Sequence, residues 1–520
     1  MTEIELKFLI DEKAEEHLKT RLNALQLVDG GMRPLRSIYF DTPDHALHRS
    51  GYSIRLRLDG GRWIQTVKTR SGLPRGLRRG LYSGLYSGLS RVSEFECPAG
   101  DGELHLDDIA DKTARKHIKR LISGKRFDPV CETHMNRTSA QIVAPDGTRA
   151  ELSVDHGKIL AGALSAELRE MEIELIAGTV DGLFDLARDL LTEGGFRFSC
   201  LSKSDRGYLL AEEGRIDVPM HPRMAKPVPL HATQTVGEAA RDILRECFDQ
   251  ITGNIDLIRV SKDPAGPHQL RVGLRRLRSA FVLFCEQINK PEMKRLNEEA
   301  KWLGQEIGAL RDRDVTALDI VRPLQQSCPD EPSFAALSSL LAAERAKTRK
   351  HVRHVLKSQR AMSFMLDLAR VIETMPIGKT GEGDKPIGKL AKRALDRRWK
   401  SVREHAKAIE KLTSEERHTL RKELKKLRYT VEFMAPLFSN KRVAPFTRQL
   451  KQLQSVFGEL IDAAMIMELF SGETALGAQD PAAQRAIGWV IGTRMTKSQQ
   501  DWHEAKSLWK DLKDTGAFWG

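Results

Sequence analysis

The chain has 520 residues, room for roughly three domains of about 150 residues each, and its 40% apolar, 30% charged and 6% aromatic residues fit a globular rather than a disordered protein. Lys and Arg number 84 against 71 Asp and Glu; residues 1–215 hold 32 basic and 33 acidic side chains, so a net +14 falls in residues 216–520 and any polyanionic partner belongs there. No apolar run approaches the roughly 18 residues that span a bilayer.

At the N-terminus, Met-Thr-Glu-Ile-Glu-Leu-Lys lacks the basic and apolar regions of a secretory signal. The six cysteines lie at least 34 residues apart with no Cys-x-x-Cys, which reads as reduced thiols in a cytosolic protein. Period-two alternation predicts strands at Ile4–Leu9, Ser37–Asp41, Ser53–Leu58, Trp63–Lys68, Val92–Cys97, Glu151–Val154 and Arg169–Leu175, separated by Gly, Asp or Pro. Helices are predicted around Lys13–Leu25 and Leu183–Leu191. The tandem Gly-Leu-Tyr-Ser repeat of Gly80–Ser90 is expected to be a flexible loop.

Four prolines between Pro219 and Pro229 fix φ and remove amide donors, so residues 213–229 read as an extended linker. Beyond it the pattern is helical, interrupted by the glycine-proline stretch Pro376–Pro386. That stretch separates two copies of one unit. His268-x-x-Arg271-x-x-x-Arg275-Arg276-x-Arg278 matches His418-x-x-Arg421-x-x-x-Lys425-Lys426-x-Arg428 at an offset of 150 residues, and Leu303, Gly308, Leu310 and Asp312 match Leu453, Gly458, Leu460 and Asp462 at the same offset. The expected organisation is a strand-rich domain over 1–212, the linker, and a duplicated helical domain over 230–515, with copies at 230–375 and 386–515.

In a strand, residues two apart share a face. Glu3, Glu5 and Lys7 oppose Ile4, Leu6 and Phe8; Arg55 and Arg57 oppose Ile54, Leu56 and Leu58; Glu94 and Glu96 flank Phe95; Glu170, Glu172 and Glu174 oppose Met171, Ile173 and Leu175. Two architectures satisfy this pattern. One is a sheet with a dry face and a wet face. The other is a closed antiparallel barrel whose lumen is charged and whose outside is covered by helices. A lumen mixing carboxylates, which hold a hard divalent cation, with Arg and Lys, which grip phosphate oxygens, suits a triphosphate.

The ordered set Glu3-x-Glu5-x-Lys7, Tyr39-Phe-Asp-Thr, Ile54-Arg-Leu-Arg57, Lys68, Glu94-x-Glu96, Glu170-x-Glu172-x-Glu174 and Lys203 with Arg206 resembles the CYTH superfamily, the triphosphate tunnel metalloenzymes, over residues 1–212. The resemblance implies an eight-stranded tunnel acting on a linear triphosphate with Mg²⁺ or Mn²⁺. It implies metal ligation by Glu3, Glu5, Glu170 and Glu172, with Asp155 and Glu96 in or beside the metal sites. It implies phosphate binding by Lys7, Arg55, Arg57, Lys68, Arg137 and Lys203, with Glu94, Glu174 and Arg206 as further substrate contacts. Two departures stand out: the repeat lengthens the loop before Glu94, and Ile176 replaces a lysine common in relatives. No phosphate-binding Gly-rich loop of the G-x-x-x-x-G-K-[ST] type occurs.

On a helix, His268, Arg271, Arg275 and Arg278 fall within one stripe about 80° wide, beside an apolar stripe of Leu270, Leu274, Leu277 and Phe281. His418, Arg421, Lys425 and Arg428 repeat this against Leu420, Leu424, Leu427 and Val431. With Leu310-Arg-Asp312, Leu427-Arg-Tyr429 and Gly458-x-Leu-x-Asp462, this half resembles the CHAD domain, which implies two related helical bundles that bind inorganic polyphosphate along a basic groove. Ile461 stands in the second copy where the first has Arg311, so the copies are not equivalent. The histidines lack second ligands at metal spacing and are expected to touch anions or serve structure.

The leading expectation is a cytosolic metal-dependent inorganic triphosphatase, cleaving tripolyphosphate to pyrophosphate and phosphate, fused to a polyphosphate-binding domain. The alternatives are an adenylate cyclase or thiamine triphosphatase built on the same tunnel, or a non-catalytic polyphosphate-binding protein. A nucleic-acid partner is disfavoured because so few aromatic residues leave little for base stacking.

Overall fold

The structure, a computed structural model, describes residues 2–24, 31–70, 88–286, 290–375, 382–472 and 475–520. Residues 80–87 of the tandem repeat and 376–381 of the glycine-proline stretch lie outside the described residues. The chain forms two compact units, residues 1–221 with 357–374, and residues 222–356 with 375–520.

In the first unit the alternating segments form β1 (Thr2–Ile10), β2 (Arg33–Asp41), β3 (Tyr52–Asp59), β4 (Arg62–Arg70), β5 (Leu89–Pro98), β6 (Asp128–Val143), β7 (Arg149–Ala161) and β8 (Leu164–Ala177). They pair antiparallel in the order β5-β4-β3-β2-β6-β7-β8-β1, and β5 returns to pair with β1. The result is a closed eight-stranded barrel with no free edge. A short β9 (Phe196–Phe198) adds to the end of β1. Closure uses residues expected to lie in a loop: Leu89 and Ser90 pair with Leu6 and Glu5, so β5 starts three residues before Val92.

The apolar residues of the strands face outward and are dry. Leu6, Phe8, Ile54, Leu56, Val67, Leu152, Val154, Met171 and Ile173 are at most 3% exposed. Helices α1 (Glu12–Leu22), α2 (Ala46–Arg49), α3 (Lys112–Ile122) and α4 (Val180–Leu190) also belong to this unit; Leu47, Ile109, Ala114 and Ile118 pack on Ile54 and Val67. A fifth helix, α5 (Lys203–Glu213), packs on β6 and β7. Its Leu210 joins Met135, Ile159, Ala161 and Leu168, which share strand faces with the inward-pointing charges, so α5 fills one end of the barrel interior. Gly207 permits this approach: a Cβ there would lie 2.1 Å from the Cys131 sulfur. Helices α3 and α5 and the long β6 were not anticipated. β6 carries Thr133, His134, Asn136 and Thr138 among its apolar residues, which blurs the period-two signal.

The second unit contains α6 (Val236–Val260), α7 (Ala265–Phe284), α8 (Lys290–Val315), α9 (Arg322–Ser327) and α10 (Ser333–Val355), then α12 (Ile387–His405), α13 (Ser414–Met434), α14 (Asn440–Phe470) and α15 (Pro481–Thr515), with a π-helical turn over Thr316–Val321. The duplication is structural. α6, α7 and α8 pack in sequence, as do α12, α13 and α14, and α7 meets α13. The starts of the two copies are joined, with Val236 N–H donating to Lys385 C=O and Ile387 N–H to Gln234 C=O at 2.9 and 3.0 Å. The predicted apolar stripes, Leu270, Leu274, Leu277 and Phe281 and Leu420, Leu424, Leu427 and Val431, are each at most 1% exposed. Residues 357–374, expected inside the first helical copy, instead form α11 (Gln359–Thr374), which packs on α4 in the first unit.

Candidate active site

Strand register builds the barrel interior. Glu5, Lys7 and Leu9 of β1 face Glu174, Glu172 and Glu170 of β8; Glu151, Ser153 and Asp155 of β7 face the same three glutamates from the other side; Arg137 of β6 faces Asp155. Across the barrel, Tyr39 pairs with Arg55, Arg55 with Thr66, and Thr66 with Glu96. Between these walls lies a cavity of about 300 Å³. Of the sequence-predicted residues, Glu3, Lys7, Arg55, Arg57, Lys68, Glu94, Glu96, Arg137, Glu172, Glu174 and Lys203 line it. Glu5, Asp155 and Glu170 are buried beside them, at 3%, 0% and 0% exposure.

The deepest feature is acidic. Carboxylate oxygens of Asp155, Glu170 and Glu172 lie within 4.8 Å of one another. The Lys203 ammonium sits at their convergence, 2.9 Å from Asp155, 2.5 Å from Glu170 and 2.9 Å from Glu172. Arg137 donates to both Asp155 oxygens at 2.7 and 2.6 Å and to Glu172 at 2.7 Å, while Lys7 lies 3.0 Å from both Glu5 and Glu172. Burial opposes charge on Lys203, yet the three carboxylates hold its pKa well above the lysine range. Burial likewise opposes charge on Glu172, but Lys203, Lys7 and Arg137 hold it far below the usual carboxylate range. Three hard oxygen donors converging on one point, now held by the Lys203 ammonium, form a donor set that fits a divalent metal.

A second acidic group stands nearer β5. Lys68 bridges Glu3 and Glu94 at 2.7 and 3.0 Å. Burial and the neighbouring Glu94 raise the Glu3 carboxyl, and burial with the charges of Glu3 and Glu5 pushes Glu174 up to about 7. Opposite, Arg57 lies 2.9 Å from Glu96, and Thr66 Oγ1 donates to the same carboxylate at 3.0 Å. Glu96 is therefore engaged with the arginines and lies outside the three-carboxylate cluster. The charge of Arg55 together with burial lowers the Arg57 guanidinium.

Arg206, expected to contact substrate, is not brought to the cavity. It lies one helical turn beyond Lys203 and is 1% exposed. Its guanidinium is taken up by Asp217, by the Ile216 carbonyl at 3.0 Å and by Ser199 at 3.1 Å. Conversely, Arg33, Ser53, Ser202 and Ser204 line the cavity without having been singled out, and Glu151, whose alternation puts it on the face of Asp155, lines it without having been given a role. Arg33 shares a strand face with Tyr39, so extending the period-two rule along β2 finds it.

In the helical unit the two basic stripes meet. Arg271 pairs with Asp312 at 3.0 Å. Arg311 reaches Asp312 at 3.2 Å and Asp462, from the other copy, at 3.5 Å. Arg275 Nε donates to the Tyr429 hydroxyl at 3.1 Å. Burial and the charges of Arg275, Arg421, Arg271 and Arg311 push the Lys425 ammonium down to about 6, and burial lowers Arg421 to about 10. His268 is exposed beside this cluster and His418 is half-buried. The outer ends of both stripes diverge: Arg278 donates to Asn297 at 3.2 Å, and Arg428 to Glu432 at 2.7 Å and Gln454 at 3.2 Å. Asp312, Tyr429 and Asp462 all fall in the quoted motifs, but no spacing rule gave them a role; they are the polar groups that bracket the cations.

Comparison with known proteins places these features. Over 213 residues the chain is 29% identical to an inorganic triphosphatase of Haemophilus influenzae, an alignment spanning 41% of this chain and 56% of that protein, little more than half its length. It is 23% identical over 464 residues to an uncharacterised protein of Mycobacterium tuberculosis, covering 82% of this chain and 81% of that one. The crystal structure of the CHAD domain from the plant Ricinus communis matches with a TM-score of 0.50 at 26% identity, covering 57% of this chain and 97% of that one. Residues 1–208 match the family model of the CYTH domain and residues 242–471 that of the CHAD domain, so the chain joins a CYTH domain, whose barrel holds the charged cavity, to a CHAD domain, whose duplicated helices hold the cationic cluster.

Proposed function

We propose that the protein is a divalent-metal-dependent inorganic triphosphatase, hydrolysing tripolyphosphate to pyrophosphate and phosphate, whose helical unit binds inorganic polyphosphate. The observation that carries the reading is the cavity lining. Lys7, Arg33, Arg55, Arg57, Lys68, Arg137 and Lys203 face Glu3, Glu94, Glu96, Glu151, Glu172 and Glu174 across one cavity. Its volume of about 300 Å³ sits at the small end of ligand sites, roughly 300–1,000 Å³, and suits a compact polyanion. Tyr39 is the one aromatic residue of the described lining, and its hydroxyl is engaged with Arg55. Among the described residues that leaves no free aromatic platform for adenine or thiamine, which favours an inorganic substrate over a cyclase or thiamine triphosphatase substrate.

Phosphoryl transfer asks for positioning and charge neutralisation more than for covalent chemistry. Arg55, Arg57 and Arg137 offer forked donors to non-bridging phosphate oxygens, while Lys7, Lys68 and Lys203 offer point charges. In the free protein these cations are held by carboxylates, so substrate exchanges one set of anionic partners for another without reorganising the walls. Asp155, Glu170 and Glu172, with Glu3 and Glu5 nearby, would hold the metal. A divalent cation there supplies charge neutralisation of the phosphates and makes water more acidic. Water oxygen bonds to the terminal phosphorus as the bridging P–O bond breaks, releasing orthophosphate and leaving pyrophosphate.

In the helical unit, Arg271, Arg275, Arg311, Arg421 and Lys425 form the polyphosphate contact, with His268 and His418 at its margins. A phosphate-release screen over tripolyphosphate, ATP and thiamine triphosphate, with and without Mg²⁺, tests the enzymatic half. Orthophosphate from tripolyphosphate only with metal is expected. Pyrophosphate from ATP would instead make the tunnel a cyclase.

A further inference from the structure

The motif Tyr39-Phe-Asp-Thr is only half used by the cavity. Tyr39 lines it, but Asp41 does not; it is buried at 1% exposure. Its Oδ1 accepts from the N–H groups of Thr42 and Leu47 at 2.7 and 2.9 Å, and its Oδ2 accepts from the His48 N–H and the Tyr208 hydroxyl, each at 2.9 Å. One carboxylate thus ties α2 to α5. The His48 ring lies flat on the Tyr208 ring, centroids 4.0 Å apart at 8°, and His48 Nε2 is 3.1 Å from Asp205 Oδ1. His45 meets the Tyr208 ring edge-on at 5.0 Å and places Nδ1 2.6 Å from Glu212.

The contacts fall on one face of α5. At 100° per residue, Asp205, Tyr208 and Glu212 lie roughly 140–200° around the helix from Lys203. The grip is therefore on the side opposite the residue that enters the carboxylate cluster. Asp205 carries the restraint to the helix start, since its Oδ2 accepts from Ser202 N–H at 2.8 Å and Ser202 Oγ at 2.7 Å, closing a capping box one residue before Lys203. Apolar packing alone would hold α5 in the barrel but leave it free to turn; directional bonds to buried carboxylates fix rotation as well. The clamp also keeps a costly backbone. His45 has φ 51°, the one positive value outside glycine among the described residues, a conformation that persists only when its surroundings enforce it.

We infer that His48, acting with Asp41 and Tyr208, is a positioning residue for Lys203, setting the rotation of α5 so that the Lys203 side chain is directed into the cavity beside Asp155, Glu170 and Glu172, where it meets phosphate once a metal takes the carboxylates. The inference rests on the proposed reading of the cavity as the reaction site, and the test separates the two. In the full chain, acetylation of Lys203 by acetic anhydride is followed by peptide mass spectrometry, which needs no turnover. His48→Ala is expected to speed modification of Lys203 at least roughly threefold by loosening the helix, with Lys7 and Lys68 unchanged. Tripolyphosphate turnover with Mg²⁺ is then measured in a cycle with Lys203→Ala. His48→Ala is expected to lower kcat/KM about tenfold when Lys203 is present and less than about twofold when it is absent, because its effect passes through that side chain. His48→Gln, which keeps a donor for Asp205, should recover most of the loss. If His48→Ala does not fold, Tyr208→Phe, which retains the ring and loses one bond to Asp41, takes the same two readouts. Unchanged Lys203 acetylation, or an equal loss of kcat/KM in both backgrounds, overturns the inference and reduces the clamp to packing. A wild-type chain inert toward tripolyphosphate would overturn the reading of the cavity, while the acetylation ratio would still decide the clamp.

Discussion

Arg57 illustrates what a single side chain does in this cavity. It is held 2.9 Å from Glu96 and is lowered by the charge of Arg55 and by burial, so on the proposed reading a phosphate would give it an anionic partner of greater charge. Arg57→Ala is expected to raise KM for tripolyphosphate roughly tenfold with a smaller change in kcat, the mark of a contact made equally in ground and transition states; steady-state kinetics check it. That Arg57 points inward was legible from alternation with Leu56 and Leu58. Asp155 was less legible. Its strand was expected over four residues, and only the 13-residue length of β7 puts Asp155 beside Glu170. Arg206 was misleading because it was carried over with Lys203 from the family resemblance, whereas here Asp217 and Ser199 claim its guanidinium.

At the scale of elements, two helices carry distinct loads. α5 enters the barrel because Gly207 leaves room for Cys131 and Ile159. Gly207→Val is expected to displace α5 and expose Lys203, lowering turnover well beyond any loss of secondary structure; circular dichroism beside activity measures this, since overpacking typically costs about 1–3 kcal/mol. The capping box of Ser202 and Asp205 was readable in the sequence, but the apolar period beside it is short, so α5 went unrecognised. α13 carries Lys425, whose ammonium is pushed down to about 6. A polyanion relieves the repulsion from Arg275, Arg421, Arg271 and Arg311 and raises that pKa, so binding above pH 6 takes up a proton. Affinity for polyphosphate should be flat below about pH 6 and weaken as pH rises toward 9, with heats that depend on buffer ionisation; Lys425→Met should remove the buffer dependence. The stripes on α7 and α13 were visible in the sequence through their spacing. Their convergence on one cluster was not, because helical periodicity orients a face without saying which helix it meets.

For the whole molecule, division of the chain does not follow the order of the sequence. α11 lies between the two helical copies in the chain, yet it packs on α4 of the barrel unit, where Thr374 and Arg370 donate to Asp181 at 3.1 and 3.4 Å and Arg188 pairs with Asp367. A fragment ending at residue 221 lacks this helix. It is expected to melt at least about 4 °C below the same fragment carrying residues 357–374 on a flexible tether, and calorimetry compares them. Among the described residues no helix is long and apolar enough to cross a membrane, as the sequence led us to expect. The duplicated bundle agrees with the sequence because internal repetition is a global signal, whereas the closed barrel agrees with what the family resemblance implied, since alternation alone fits an open sheet equally well. The exchange of α11 had no such signal, since its apolar pattern fits a partner in either unit.

The central claim is that the carboxylates of the barrel make the cavity a metal-dependent site for an inorganic triphosphate. Glu172 tests it most directly, because it contacts Lys203, Lys7 and Arg137 at once. Orthophosphate release from tripolyphosphate is measured for the full chain and for Glu172→Gln across a Mg²⁺ titration. The account predicts metal-dependent release by the native chain and a loss of roughly 100-fold or more in the variant, at unchanged circular dichroism. Release that is independent of metal, or a variant as active as the native chain at saturating Mg²⁺, would contradict it.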